Sequence, residues 1–220
     1  MHCSGRNKGR ETIFREKVNG IMAMGDAVFS CKPQHDCKLL ASEIGDGAMK
    51  QNFDKCLEML LKHEGGFVDH PKDPGGMTNL GVTRAVYEQW MGRHVTEEEM
   101  RALTPEDVGP IYKKNYWDKV RGDDLPSGLD WAAFDWAVNS GSGRPAKAIQ
   151  RCIGAKQDGA IGPKTLALVA EHDVEKLISY VTTTRQRFYE RLKTFETFGK
   201  GWTRRNSETH ETAIEMAKGH

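Results

Sequence analysis

Apolar residues along this chain recur mostly at helical spacing. Phe53, Cys56, Leu57, Leu60 and Leu61 fall at i, i+3, i+4, i+7 and i+8, which is the stripe of one buried helix face. Gly65 and Gly66 then end that helix, since glycine takes the left-handed C-terminal conformation without a Cβ penalty. From Phe67 to Gly81 the pattern dissolves into polar, Gly- and Pro-rich sequence, which predicts a loop or short β-hairpin. Helical signals then resume. Thr83 can cap a helix carrying Val86 and Trp90, Thr96 with Glu99 forms a capping box, and Thr104-Pro105-Glu106-Asp107 is a Pro-started helix head. Further helices are predicted at about Asp130 to Asn139, at Arg144 to Cys152 and from Gly162-Pro163 onward. The longest is predicted from about Asp173 to Thr197, with Leu177, Val181, Thr184, Phe188, Leu192 and Phe195 on its stripe. The pattern therefore predicts a mainly α fold with one short Gly-rich loop or hairpin after its first helix.

Residues 1 to 48 lack a sustained apolar period and contain possible internal starts at Met22 and Met24, with a third at Met49. They read as an extension, poorly ordered or from a non-native start, ahead of 172 residues that suffice for one compact domain. Composition changes this picture little. An apolar content of 38% and a charged content of 29% describe an ordinary globular chain. A net charge of +1 argues against a partner held by phosphate neutralisation, so no nucleic acid is expected. The charge is uneven: Ser142 to His220 carries 14 Lys/Arg against 9 Asp/Glu, which would suit an anionic polymer. No apolar run is long enough for membrane insertion, and Met1 to Ser30 makes a poor secretory signal. Five cysteines without CxxC spacing fit a protein made in the cytoplasm. No metal or cofactor is expected: Cys31, Cys37 and His35 form an incomplete ligand set, and His63, Asp69, His70 and Asp73 lack ordered zinc spacing.

Chemistry concentrates after the first helix. One more step along the stripe lands on Glu64, a carboxyl on the buried face at the helix end, where a Gly-rich loop opens. Partial desolvation and the negative end of the helix dipole both favour its protonated form. A protonated carboxyl is what cleavage of a glycosidic bond requires, to protonate the leaving oxygen. Such enzymes usually carry a second carboxylate opposite the acid. Asp73 is the best placed by sequence, and Thr78 could position a water. Each has a plain structural alternative: Glu64 as a helix-end carboxylate turned to solvent or paired with a nearby Lys, and Asp73-Pro74-Gly75-Gly76 as a turn.

The run Glu64-Gly65-Gly66-Phe67-Val68, followed by Asp73-Pro74-Gly75-Gly76-Met77-Thr78-Asn79-Leu80-Gly81-Val82-Thr83, resembles the N-terminal signature of glycoside hydrolase family 108. The resemblance continues through Tyr116-Trp117, through Phe134-Asp135-Trp136-Ala137-Val138-Asn139-Ser140-Gly141, and through Phe198 to Arg205. It implies a lysozyme-like α+β fold and a peptidoglycan N-acetylmuramidase with Glu64 as the acid. Glu64 and Asp73 also fit the phage-lysozyme spacing of eight intervening residues, but four residues rather than five separate Asp73 from Thr78. Asn79, Tyr116, Trp117, Trp136 and Asn139 are expected as substrate contacts, although Trp131, Phe134 and Val138 share a helical face that reads equally as core. Gln150, Gly154 and Asp158 to Thr165 resemble the predicted peptidoglycan-binding segment of this family, or simply a turn between two helices.

The domains expected are thus the extension 1–48, a catalytic part 49–141 and a wall-binding part 142–220. The resemblance implies peptidoglycan as partner, and the poor secretory signal suits either a bacterial prophage or secretion-associated protein or, most simply, a monomeric, bacteriolytic phage endolysin. The endolysin would be made in the host cytoplasm, released by a holin-type membrane protein and active on the wall. Rival readings are a lytic transglycosylase, which also uses one Glu, a metal-dependent wall amidase, and a non-catalytic wall-binding or secretion-assisting module.

Overall fold

The structure is a computed structural model that describes residues 52–64, 66–69 and 76–219. Expectations for residues 1 to 48, for His70 and for Asp73 lie outside the described residues. The fold is mainly helical with one small antiparallel hairpin, as the apolar pattern predicts. No described helix is long and apolar enough to cross a membrane. The described residues form two compact units: one is Asp54–Lys114, and the other runs from Asn115 and includes Asn52 and Phe53.

In the first unit, helix α1 (Asn52–His63) buries Cys56 and Leu60 completely, which confirms the predicted stripe. Leu57 meets α4 (Pro105–Tyr112) at Gly109, where a Cβ would come within 3.1 Å of the leucine methyl. The helix ends one residue before Glu64, whose N–H continues the spiral by a single tighter bond to the Leu61 carbonyl. Beyond the break, Val68 and Thr78 exchange both backbone hydrogen bonds at 2.8 Å. Strand β1 (Thr78–Asn79) then turns into β2 (Val82–Thr83), pairing Thr78 with Thr83 and Asn79 with Val82. The two turn residues both have positive φ, Leu80 at 46° and Gly81 at 72°, the type I′ geometry that matches the twist of a two-residue hairpin.

Local capping explains the next three helices. Thr83 caps α2 (Arg84–Met91) through the Val86 N–H. Thr96 and Glu99 form the predicted box at α3 (Glu97–Arg101), and Thr104 with Asp107 forms another at α4. The charged partners in these caps are exposed, so their worth lies in fixing helix starts rather than in ion-pair energy. After α4 the chain passes through a π-helical turn, Lys113–Trp117, which leads into the second unit.

The second unit is built around α5 (Leu129–Ser140), buried on nearly every side, with α6 (Gly143–Cys152), α8 (Val174–Glu190) and α9 (Phe195–Ala217) packed against it. A helix apolar all round is the expected centre of such a bundle. The short α7 (Pro163–Ala170) starts at Pro163 as predicted. The long helix expected from Asp173 to Thr197 is instead two helices broken at Arg191–Thr194, and α9 is the longest described. Tighter bonds, Leu192 N–H to Tyr189 O and Phe195 N–H to Leu192 O, close the break. Folding back brings Trp202 of α9 within 5.2 Å of Tyr189 of α8, centroid to centroid. Gly199 lets the Phe195 ring lie on the α9 backbone, where a Cβ would approach the ring to 2.8 Å. Burying these aromatics together outweighs the propensity to continue one helix.

Candidate active site

Glu64 is half-buried, and its carboxyl is turned onto the tip of the hairpin. A Cβ on Gly81 would lie 2.8 Å from Glu64 Oε2, 3.2 Å from its carboxyl carbon and 2.4 Å from the Tyr112 hydroxyl. Position 81 therefore requires glycine twice over, once for the left-handed backbone and once for the space that the carboxyl and the phenol occupy. Tyr112 reaches in from the end of α4, and its hydroxyl donates 2.9 Å to the Leu80 carbonyl in the same turn. Carboxyl, phenol and glycine are thus brought to one place by three separate elements.

Two polar side chains of β1 have contrasting environments. Asn79 is buried and its amide is committed: Nδ2 donates to the Met100 and Arg101 carbonyls at 2.8 and 3.3 Å, while Oδ1 accepts the Leu80 N–H at 3.0 Å. It ties the turn to the end of α3 and supports Leu80 in its unusual backbone conformation. Thr78 is also buried, but its hydroxyl has no hydrogen-bond partner among the described residues. A buried hydroxyl normally finds a partner, which makes this one an exception.

The remaining predicted residues lie in the second unit, and two are core rather than cleft wall. Trp117 is fully enclosed, donates 2.8 Å to Asp123 and packs edge-on against Phe53 and Phe134. Trp136 is 2% exposed, and its ring lies near Phe188. Their bulk was read as a sugar platform, but burial of so large an apolar surface stabilises the bundle instead. Tyr116 is half-buried on the π-helical turn, and half-buried Asn139 donates 2.6 Å to the Asp135 carbonyl. Sequence reasoning missed Tyr112, which lies far from the motif in the chain, and missed the space requirement at Gly81.

Asp135, next to Trp136 on α5, has no exposure at all. Burial alone would raise its pKa, but the Arg205 and Arg185 guanidiniums outweigh this and hold it well below the usual carboxylate range. Arg205 binds it with two nitrogens, the closer at 2.7 Å, and the Thr209 hydroxyl adds a bond at 3.2 Å. Arg185 sits 2.7 Å away as a close ion pair and donates its Nε–H to Tyr189 at 2.8 Å. This cluster clamps α5, α8 and α9 together. Gln150 plays a similar local part on α6, since its amide binds Asp158 Oδ1, Ala160 O and the Gly159 N–H and so locks the Asp158-Gly159 turn.

Residues 57–141 match the family model "Glycosyl hydrolase 108", and residues 144–207 match "Predicted Peptidoglycan domain". The sequence likeness thus changes near Gly141, whereas the compact units divide at Lys114. No curated protein matches. Among the solved structures that match is that of Brucella abortus SagA, 45% identical, with a TM-score of 0.67 over 76% of this chain and 97% of that chain. The chain belongs to the glycosyl hydrolase 108 family, and it is a peptidoglycan hydrolase with an appended peptidoglycan domain.

Proposed function

We propose that the enzyme is a lysozyme-type N-acetylmuramidase that hydrolyses the β-1,4 bond between N-acetylmuramic acid and N-acetylglucosamine, with Glu64 as general acid. The observation that carries this reading is the seat of the Glu64 carboxyl on Gly81, beside the Tyr112 hydroxyl. A carboxyl fixed at a glycine-floored turn can approach a bulky polymer without its own neighbours intervening. It protonates the glycosidic oxygen as the bond breaks. The unpartnered hydroxyl of Thr78 supports a role in placing the attacking water. Asp73 serves as the second carboxylate, which steadies either that water or the developing positive centre. Asn79 acts through the hairpin as a positioning residue, while Tyr116 and Asn139 contact the substrate.

In this reading the protein is a monomeric, bacteriolytic endolysin of phage type that reaches the wall with the help of a holin-type membrane protein. Co-expression in a bacterium tests that context, with lysis expected only when a holin is present. The chemistry is tested by mass spectrometry of digested muropeptides. Muramic acid at new reducing ends is expected, and 1,6-anhydro ends would instead make the enzyme a transglycosylase. Activity that survives EDTA would count against a metal-dependent amidase.

A further inference from the structure

Three large apolar side chains are exposed among the described residues, and all three lie on the eight-residue helix α2: Val86 at 36%, Trp90 at 39% and Met91 at 42%. An exposed tryptophan is the costliest of these to leave in water, and clustered exposure marks a binding surface more than scattered single residues do. Around α2, Val86 and Trp90 share one face one turn apart, buried Tyr87 lies between Trp90 and Met91, and Glu88 is paired to Arg84 at 2.9 Å. Lys114 stands over the Trp90 ring with its ammonium 5.3 Å from the centroid. It is exposed and has no carboxylate partner among the described residues. The contact spans two elements, since Trp90 ends α2 and Lys114 opens the π-helical turn after α4. Both belong to the same compact unit as Glu64.

An indole with a neighbouring unpaired ammonium has a specific chemical complement, namely a ring with an apolar C–H face and a carboxylate near it. Peptidoglycan supplies the ring in its sugars and the carboxylate in the acidic stem peptides borne by muramic acid. Charge complementarity therefore selects the glycan strand over an uncharged partner. We propose that Trp90 and Lys114 form an accessory docking site for the glycan strand, in which Trp90 stacks on a sugar ring and Lys114 pairs with a stem-peptide carboxylate. This inference rests on the peptidoglycan-cleaving reading but not on the identity of its acid.

The test measures co-sedimentation of full-length protein with purified sacculi, in a Glu64→Gln background so that the polymer stays intact. Trp90→Ala is expected to weaken binding about tenfold, with Trp90→Phe retaining most of it, as stacking requires. Lys114→Glu is expected to weaken binding by a similar factor, and that loss should shrink on sacculi whose carboxylates have been amidated. Because both side chains are exposed, each variant should melt with its parent, which separates lost binding from lost folding. Binding equal to the parent in both Trp90→Ala and Lys114→Glu would overturn the proposal. So would a parent dimer that Trp90→Ala converts to monomer on size exclusion without change in sacculus binding, since the patch would then join two copies. Failure of the wild type to create muramic acid reducing ends would sink the muramidase reading and leave this binding result standing.

Discussion

Two carboxylates show how differently the two units of this protein use the same chemical group. Asp135 is sealed inside the helical bundle, held by two guanidiniums and a threonine hydroxyl. Glu64 stands half-buried just past a helix end, seated on a glycine beside a phenol. The first is surrounded by groups that fix its charge and close off all access. The second is fixed in place by backbone and packing while part of it remains reachable. The contrast teaches that burial and charge pairing alone do not mark a reacting group. Asp135 is fully buried and doubly paired, and it serves the fold.

The sharpest way to break this contrast is to remove charge from the sealed site. Asp135→Asn leaves Arg185 and Arg205 facing each other without a counter-charge, and a loss of about 3–5 kcal/mol is expected in denaturant unfolding. A variant as stable as the wild type would show that the cluster is not a clamp. Next comes the floor of the open site. Gly81→Ala must strain the backbone and displace Glu64 or Tyr112, so a stability loss of about 1–3 kcal/mol is expected. Activity should fall further than stability explains, by up to about a hundredfold, since small misplacements of reacting groups are costly. Unchanged turnover would mean that the hairpin tip does not set the geometry of Glu64.

Tyr112→Phe tests the same tip more gently. Loss of its bond to Leu80 should cost about 0.5–1.5 kcal/mol, measured as a shift of the melting curve. The last prediction separates two buried aspartates by pH. Asp135 has a depressed folded-state pKa, so its contribution is present at neutral pH and is lost as the solution becomes acidic. Asp130 behaves in the opposite way: desolvation raises it to about 6, against the hydrogen bonds from Asn52, Trp131 and Gly128. Its folded-state value lies above that of the unfolded chain, so its contribution is present in acid and lost as pH rises through about 6. Asp130→Asn should therefore flatten the stability curve between about pH 4 and pH 6. A curve of unaltered slope would contradict that assignment.

Where local chemistry decides, the sequence was readable. The caps at Thr83, Thr96 and Thr104 each form as their spacing implies, and the phase of Cys56 and Leu60 does lead to Glu64. What escaped it was decided by contacts distant along the chain. Tyr112 joins the site only through folding, and nothing near it in sequence points to the hairpin. The break at Arg191–Thr194 contains no glycine or proline and is imposed by Trp202 returning onto Tyr189. Trp117 and Trp136 were ambiguous for a different reason, since a tryptophan suits both a sugar platform and a core. Only their exposure decides between these, and both are buried.

In the proposed reaction the Glu64 carboxyl donates the proton. The most direct test is the initial rate at which new muramic acid reducing ends appear on intact sacculi, compared between wild type and Glu64→Gln. A fall of about 10²–10⁴-fold is expected, the usual worth of general acid catalysis, with the melting curve and sacculus binding unchanged. A Glu64→Gln enzyme that cuts at the wild-type rate would contradict it.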